Sequence, residues 1–252
     1  MWRLVGENAI KLILLVVTER KNLRKLTLGA LLAAGASEFR QLFPTVMLQR
    51  QLGRVVPLNA RLRKIVLENE RKDSGIRSSN VGGWHSQADF LEWKLPEVGI
   101  LAAEIMVAGR ELTSTLVPPG EEGELEVTFQ GGTWANVLRK GGYNKIHNHP
   151  GALWSGCYYV STGRPAPEPE FNGWIEFQDP RPGNIHGGKE RVKPVEGMLL
   201  LFPGWLNHYV NPFNGKGERI SIAFNLDAEF VPSAVRSASS TARSTMHLPT
   251  EA

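Results

Sequence analysis

A single cysteine, Cys157, is all that the 252 residues contain. That excludes a disulfide framework and makes the cytoplasm the natural expectation for compartment. Long apolar runs are scarce as well. The two most apolar stretches, 9–17 and 26–36, are each too short to span a bilayer, so no membrane partner is expected. They flank a basic cluster at 20–25. The second ends in Ala34-Gly35-Ala36, small residues of the kind found at signal-peptide cleavage sites, but it begins too far into the chain to serve as one. There is also no concentrated basic stripe. Of a net charge of +4, residues 1–40 carry seven Lys/Arg against three Asp/Glu, and the tail from Ser233 carries two against one. Residues 41–232 carry 20 against 21. Nucleic acid, which needs clustered cations along its phosphates, is therefore not an expected partner.

What is present reads as a turn-rich globular domain, with 26 Gly, 16 Pro and 42% hydrophobic residues. Residues 1–40 form an amino-terminal extension, disordered or helical. Residues 41–232 form the domain, and the Ser/Ala/Thr/Arg-rich stretch 233–252 is a disordered tail. Within the domain, Asn59 is placed to cap a helix through Arg71, with Leu62, Ile65 and Val66 at helical spacing. Ser79-Asn80-Val81-Gly82-Gly83-Trp84-His85 reads as a loop. A second helix starts at Pro96 and runs to about Leu112, proline being favoured in a first turn. Beyond Pro118-Pro119-Gly120 the text turns to strands. Leu125, Val127 and Phe129 alternate with polar residues, as do Trp134, Asn136 and Leu138. Further short strands are read at 154–161, 173–177, 198–202 and 220–225. Helices first and many short strands after predict a mainly β domain with flanking helices, a double-stranded β-helix or jelly roll.

The chemistry is concentrated in the strand region. His147 and His149 lie two apart, so on a strand they share a face and can aim at one ion. A later strand running from Gly197 through Phe202 to His208 would bring a third imidazole alongside. Imidazole suits divalent iron, and three facial ligands leave positions open for cosubstrate and O₂. Eleven residues past His208 comes Arg219, with Ser221 on the same strand face. A guanidinium fork matches a carboxylate, and a hydroxyl adds one more bond. The strands carrying His208 and Arg219 are read as neighbours joined by a turn at 211–218.

With those residues in view, the spacing of His208, Arg219-Ile220-Ser221 resembles the closing signature of iron(II)/2-oxoglutarate-dependent oxygenases. More narrowly, the chain is similar to a family of 2-oxoglutarate oxygenases from bacteria and phages. The likeness is carried by Leu42-Phe43-Pro44-Thr45, Ser79-Asn80-Val81-Gly82-Gly83-Trp84-His85-Ser86, His147-Asn148-His149-Pro150 and Ser155-Gly156-Cys157-Tyr158-Tyr159-Val160. It continues through Asp179-Pro180-Arg181, residues 197–203 and Glu218-Arg219-Ile220-Ser221-Ile222-Ala223-Phe224-Asn225, and covers about 42–226. The resemblance implies an iron(II) dioxygenase that consumes 2-oxoglutarate and O₂. It would hydroxylate a small molecule or a side chain and release succinate and CO₂. Arg219 and Ser221 would grip the far carboxylate of 2-oxoglutarate.

One position departs from the superfamily, which keeps Asp two residues after the first histidine, where this chain has His149. Either His147, His149 and His208 form an all-histidine triad, or a carboxylate from elsewhere, Asp179, completes the shell. Tyr158 and Tyr159 point to opposite faces, so only one can line the barrel. Tyr158 is assigned to the cosubstrate together with Asn136. His85, His186 and His247 read as ordinary surface or hydrogen-bonded histidines, although Gly82-Gly83-Trp84-His85 is also a candidate lid. Two other readings stay open. Gly141 followed by His147-Asn148-His149 resembles the start of a cupin motif, without the glutamate expected soon after. A jelly-roll module that binds without catalysis is the other. The substrate is not legible, and a homo-oligomer is compatible with all three readings.

Overall fold

Central strands that are apolar on both faces shape this domain. The computed structural model describes residues 43–117, 125–181 and 188–232. The extension, the tail, His186 and His247 fall outside those residues. In chain order the elements are β1 (Leu48–Gln51), α1 (Val56–Glu70), β2 (Asn80–His85), a 3₁₀ turn (Phe90–Glu92), α2 (Pro96–Ser114) and β3 (Leu125–Gln130). There follow β4 (Thr133–His147), β5 (Trp154–Pro165), β6 (Ile175–Gln178), β7 (Lys189–Val192), β8 (Met198–Pro203), β9 (His208–Val210) and β10 (Gly215–Pro232). Among the described residues, no helix is long and apolar enough to cross a membrane.

The strands pair in the order β1-β8-β5-β10-β4-β9-β6-β7, with β2 added to β4 and β3 to β10. β4 is the corner. Its first half pairs with β10 and its second half with β9. Between them Gly141 takes a φ of 87°, which a side chain would resist. The sheet thus curls into two walls. Leu138, Cys157, Tyr159, Met198, Leu200 and Phe202 from one wall meet Ile175, Phe177, Val192 and Val210 from the other. This is the double-stranded β-helix that the strand pattern predicts.

The outer face of the first wall is covered by helices. Val98, Leu101, Ile105, Ala108 and Leu112 recur on one side of α2, and Leu62 and Val66 on α1. They pack on Ala135, Val137, Tyr158, Leu199, Leu201, Ile220, Ile222 and Phe224. β8 is therefore buried on both faces, which is why it reads Met198-Leu199-Leu200-Leu201-Phe202 without alternation. Gly156 on β5 is equally constrained, since a Cβ there would sit 2.4 Å from the Leu200 carbonyl oxygen.

Three expectations are corrected. α1 begins at Val56, with proline in its first turn, so Asn59 lies inside the helix. Its buried side chain accepts a 2.6 Å hydrogen bond from Tyr158. Residues 80–85 are a strand paired with β4, which removes the lid. The stretch from Gly197 to His208 is two strands, β8 and β9, and β9 is not hydrogen-bonded to β10. β9 and β10 each pair with β4 instead, which brings His208 and Arg219 into one cavity.

On the outer face of the second wall, Glu176 is only 2% exposed. Burial alone would raise its pKa. Contacts from Lys189 (2.7 Å), Tyr209, Asn211 (3.3 Å) and Arg191 (3.0 Å) outweigh that and hold it at about 2, below the ordinary 4.5. A folded-state pKa that is depressed stabilises above the unfolded value and is lost as pH falls through the folded one. Thermal melts of wild type and Glu176→Gln should therefore differ by about 1–3 kcal/mol at pH 6 and converge between pH 4.5 and 2. A difference that does not change over that range would contradict the assignment.

Candidate active site

Each site residue is placed by the inward parity of its strand. On β10, Ile220, Ile222, Phe224 and Leu226 face the helices. The alternate residues Arg219, Ser221 and Ala223 line the cavity. On β5, Tyr158 and Val160 face the helices, whereas Cys157 and Tyr159 line the cavity. β4 contributes Trp134, Asn136, Asn144 and His147, with His149 just beyond its end. Cross-strand register groups these into rungs. Ser221 is opposite Asn136 on one side and Tyr159 on the other. Ala223 is likewise flanked by Trp134 and Cys157. His147 and His208 are paired directly across β4 and β9.

The ligand atoms of His147, His149 and His208 lie within 4.8 Å of one another. Their ring centroids are 4.3 Å (His147–His208), 5.0 Å (His147–His149) and 5.3 Å (His149–His208) apart. Metal–nitrogen bonds of about 2.1 Å close such a set with small side-chain shifts. Electrostatics favour ligation. Burial, reinforced by the neighbouring His147, lowers His149 to about 4 and His208 to about 3. Burial also lowers His147. All three imidazoles are neutral at pH 7 and keep a lone pair for a cation.

At the other pole of the cavity is Arg219, 2% exposed. Its Nε donates to the Gly173 carbonyl (3.0 Å), and its guanidinium lies 5.1 Å from the centroid of the Tyr159 ring. Among the described residues no carboxylate pairs with it, and no Asp or Glu lines the cavity. Two further polar atoms on the adjoining rung, Asn136 Oδ1 and Tyr159 Oη, are buried without a partner. Unsatisfied buried groups are costly, so their grouping beside an uncompensated cation marks a place for a polar, anionic ligand. The donor set thus fits both a metal and a dicarboxylate.

Several assignments shift. Tyr158 does not face the cosubstrate pole. It bonds Asn59 among the helices, with its pKa pushed up to about 12 by burial, and Tyr159 takes the inward place. Asp179 is engaged by Arg181 through both carboxylate oxygens and stands apart from the three-histidine cluster. His85 is buried and stacks on Trp134 (5.4 Å, 8° between planes), and Trp134 leans on His149 at 5.7 Å. The sequence leaves Trp134 and Cys157 unassigned to the cavity and allows Asn144 a pocket or a turn role, with the turn favoured. Stepping by two from Asn136 and Tyr159 finds the first two. Asn144, which bonds the Ser79 hydroxyl at 3.1 Å, lies past the β4 bend, where the parity is reset.

Residues 132–225 match the family model described as "Putative 2OG-Fe(II) oxygenase". No curated protein sequence matches. Solved structures do. A prolyl-4-hydroxylase of Pseudomonas putida aligns with TM-score 0.50 and 16% identity, covering 73% of this chain and 92% of that one. A prolyl hydroxylase of Trichoplax adhaerens, solved with a hypoxia inducible factor peptide fragment, gives 0.50 and 14%, covering 77% and 86%. The alpha ketoglutarate dependent epimerase SnoN of nogalamycin biosynthesis gives 0.54 and 12%, covering 76% and 82%. At such identities the structural likeness is one of fold, and the pointer to an activity comes from the family model matched over residues 132–225. It also leaves the cupin reading without support, since the cavity lacks the glutamate of that motif and holds an arginine it does not need. The stretch from β4 to β10, which builds most of the cavity, is thus similar to the iron(II)- and 2-oxoglutarate-dependent oxygenases.

Proposed function

We propose that this oxygenase holds iron(II) on His147, His149 and His208, and takes the far carboxylate of 2-oxoglutarate on Arg219 and Ser221. The observation that carries the reading is Arg219, a buried guanidinium in a cavity that has three neutral imidazoles and, among the described residues, no acid. Bound iron and 2-oxoglutarate together supply O₂ activation, with 2-oxoglutarate split to succinate and CO₂ and one oxygen atom delivered to the substrate. The chain's own residues position and shield. Arg219 supplies the fork and the counter-charge, and Ser221 a hydroxyl beside it. Asn136 and Tyr159 offer further bonds from the same rung. Phe202 and Phe177, edge-on or tilted to His208, exclude water from the buried imidazole. The all-histidine set leaves the metal with one more unit of positive charge than a set containing Asp. The expected product is a hydroxylated small molecule or side chain, made in the cytoplasm where 2-oxoglutarate is supplied.

The test is turnover of 2-oxoglutarate. Purified protein with Fe(II), ascorbate and O₂ should release succinate and CO₂ slowly without added substrate. Arg219→Ala should not. Equal release by the two would sink the assignment of Arg219.

The two tyrosines give a paired prediction. Tyr158→Phe should destabilise the fold by about 1 kcal/mol through the lost bond to Asn59 and leave 2-oxoglutarate affinity unchanged. Tyr159→Phe removes a hydroxyl without a partner, so stability should hold while 2-oxoglutarate binds roughly 3- to 10-fold more weakly. Thermal melts and a binding titration on both variants check it. The reverse pattern would return the cosubstrate to Tyr158.

A further inference from the structure

The three imidazoles are not held alike. Nδ1 of His147 lies 2.7 Å from the Lys145 carbonyl oxygen, and Nδ1 of His208 lies 2.9 Å from that of Leu206. A carbonyl only accepts, so both histidines carry their proton on Nδ1 and present the Nε2 lone pair. In each case the partner is backbone two residues upstream. His149 has a different partner. Its Nδ1 lies 3.3 Å from the Asn225 side-chain amide nitrogen, 76 residues away on β10. The other end of that amide, Oδ1, is buried with no partner.

An asparagine amide has two nearly isosteric ends, and the hydrogen bonds decide which end points where. With Nδ2 toward His149, the imidazole must accept at Nδ1 and carry its proton on Nε2, and Oδ1 stays orphaned. With the amide turned over, Oδ1 accepts from the Nδ1 proton and Nε2 is free. The second arrangement gives the buried oxygen a partner and puts His149 in the same tautomer as its two neighbours.

We infer that Asn225 is the positioning residue for His149, its side-chain carbonyl fixing the imidazole with Nε2 turned toward His147 and His208. This deepens the proposed iron site and rests on it. The need follows from the sequence. A carboxylate accepts at either oxygen and has no tautomer to choose, whereas an imidazole binds a metal through only one of two nitrogens. Asn225 continues the inward parity of β10, two residues past Ala223 and four past Ser221, and its backbone N–H is anchored on the Gly132 carbonyl at 2.9 Å. Trp134, 5.7 Å from His149, bounds the ring on another side. One strand face thus supplies Arg219 and Ser221 at the cosubstrate pole and Asn225 at the metal pole.

The test uses the full chain labelled with ¹⁵N-histidine, free of metal, at neutral pH. Long-range ¹H–¹⁵N correlations read each tautomer, and His149→Gln identifies the signal. The wild type should show His149 protonated on Nδ1. Asn225→Asp, which keeps an acceptor, should show the same, and Asn225→Ala should shift toward the Nε2-protonated form. Cobalt(II) titration is the second readout. Asn225→Ala should bind roughly 10- to 100-fold more weakly than wild type, and Asn225→Asp should recover most of the loss. An Nε2-protonated His149 in the wild type, or unchanged cobalt affinity in Asn225→Ala, would overturn the inference. Failure of the iron site itself looks different, because cobalt would then bind wild type and His208→Ala equally, whatever Asn225 does.

Discussion

Replacing Arg219 by Met should weaken 2-oxoglutarate binding severely and at the same time raise the melting temperature of the ligand-free chain. The two effects have one cause. The guanidinium is 2% exposed, donates to a single backbone carbonyl and has no carboxylate partner among the described residues. Burying an uncompensated charge is costly, and exchanging buried ionic groups for apolar ones of similar volume gains about 1–4 kcal/mol in favourable cases. At about 2–4 °C per kcal/mol for a domain of this size, the gain is measurable. When the ligand is present the sign reverses. A buried charge-assisted pair is worth about 2–5 kcal/mol when one partner is truncated, a loss of roughly 30- to 5,000-fold in affinity. In wild type, 2-oxoglutarate at a hundred times its dissociation constant should stabilise by about 2.7 kcal/mol, and the same concentration should stabilise Arg219→Met by less than about 1 kcal/mol. Thermal melts with and without 2-oxoglutarate and metal read both halves. A variant that is less stable and still responds to the ligand would mean that Arg219 is a structural residue.

Loss of His208 should remove metal binding almost completely. It is the most buried of the three imidazoles and sits between Phe202 and the other two rings. A structural site of four ligands is worth about 10–16 kcal/mol, so one ligand corresponds to about 3 kcal/mol, on the order of a hundredfold or more in affinity. His208→Ala should therefore fail to bind cobalt(II) at concentrations that saturate wild type, and should show no metal-induced rise in melting temperature. Asp179→Ala should bind as wild type does, because that carboxylate is committed to Arg181. If Asp179→Ala loses metal, the carboxylate alternative regains its place and the all-histidine set falls.

The fold was legible because its strands alternate. Leu125, Val127 and Phe129, Trp134 to Leu138 and the block from Arg219 to Asn225 each show period two, and helical spacing on α2 was equally open. Strand 80–85 was missed because Gly82-Gly83 carries the signature of a turn. In the structure that pair permits close approach to β4, where a Cβ on Gly83 would meet the Leu138 side chain at 2.4 Å. At the candidate site, the structure gathers His147, His149, His208, Arg219, Ser221 and Asn136 around one cavity. The tyrosine parity could not be read in isolation. A bulge on β5 opposite Ile220 and Ser221 leaves Val160 unpaired, and only register against β10 shows that Tyr159 is the residue beside Ser221. Asn225 was invisible for a different reason. Its partner is 76 residues away, and no local pattern marks a side chain that holds a ligand on another strand.

The central claim is that metal and 2-oxoglutarate meet in this one cavity, between His208 and Arg219. The measurement that tests it most directly is anaerobic addition of Fe(II) and 2-oxoglutarate, watching for the weak visible charge-transfer band of the ternary complex, with His208→Ala and Arg219→Ala alongside. The account predicts a band in wild type that both variants lose, His208→Ala because no iron is held and Arg219→Ala because the cosubstrate is not. Iron bound by wild type with no band, or a band that survives in Arg219→Ala, would contradict it.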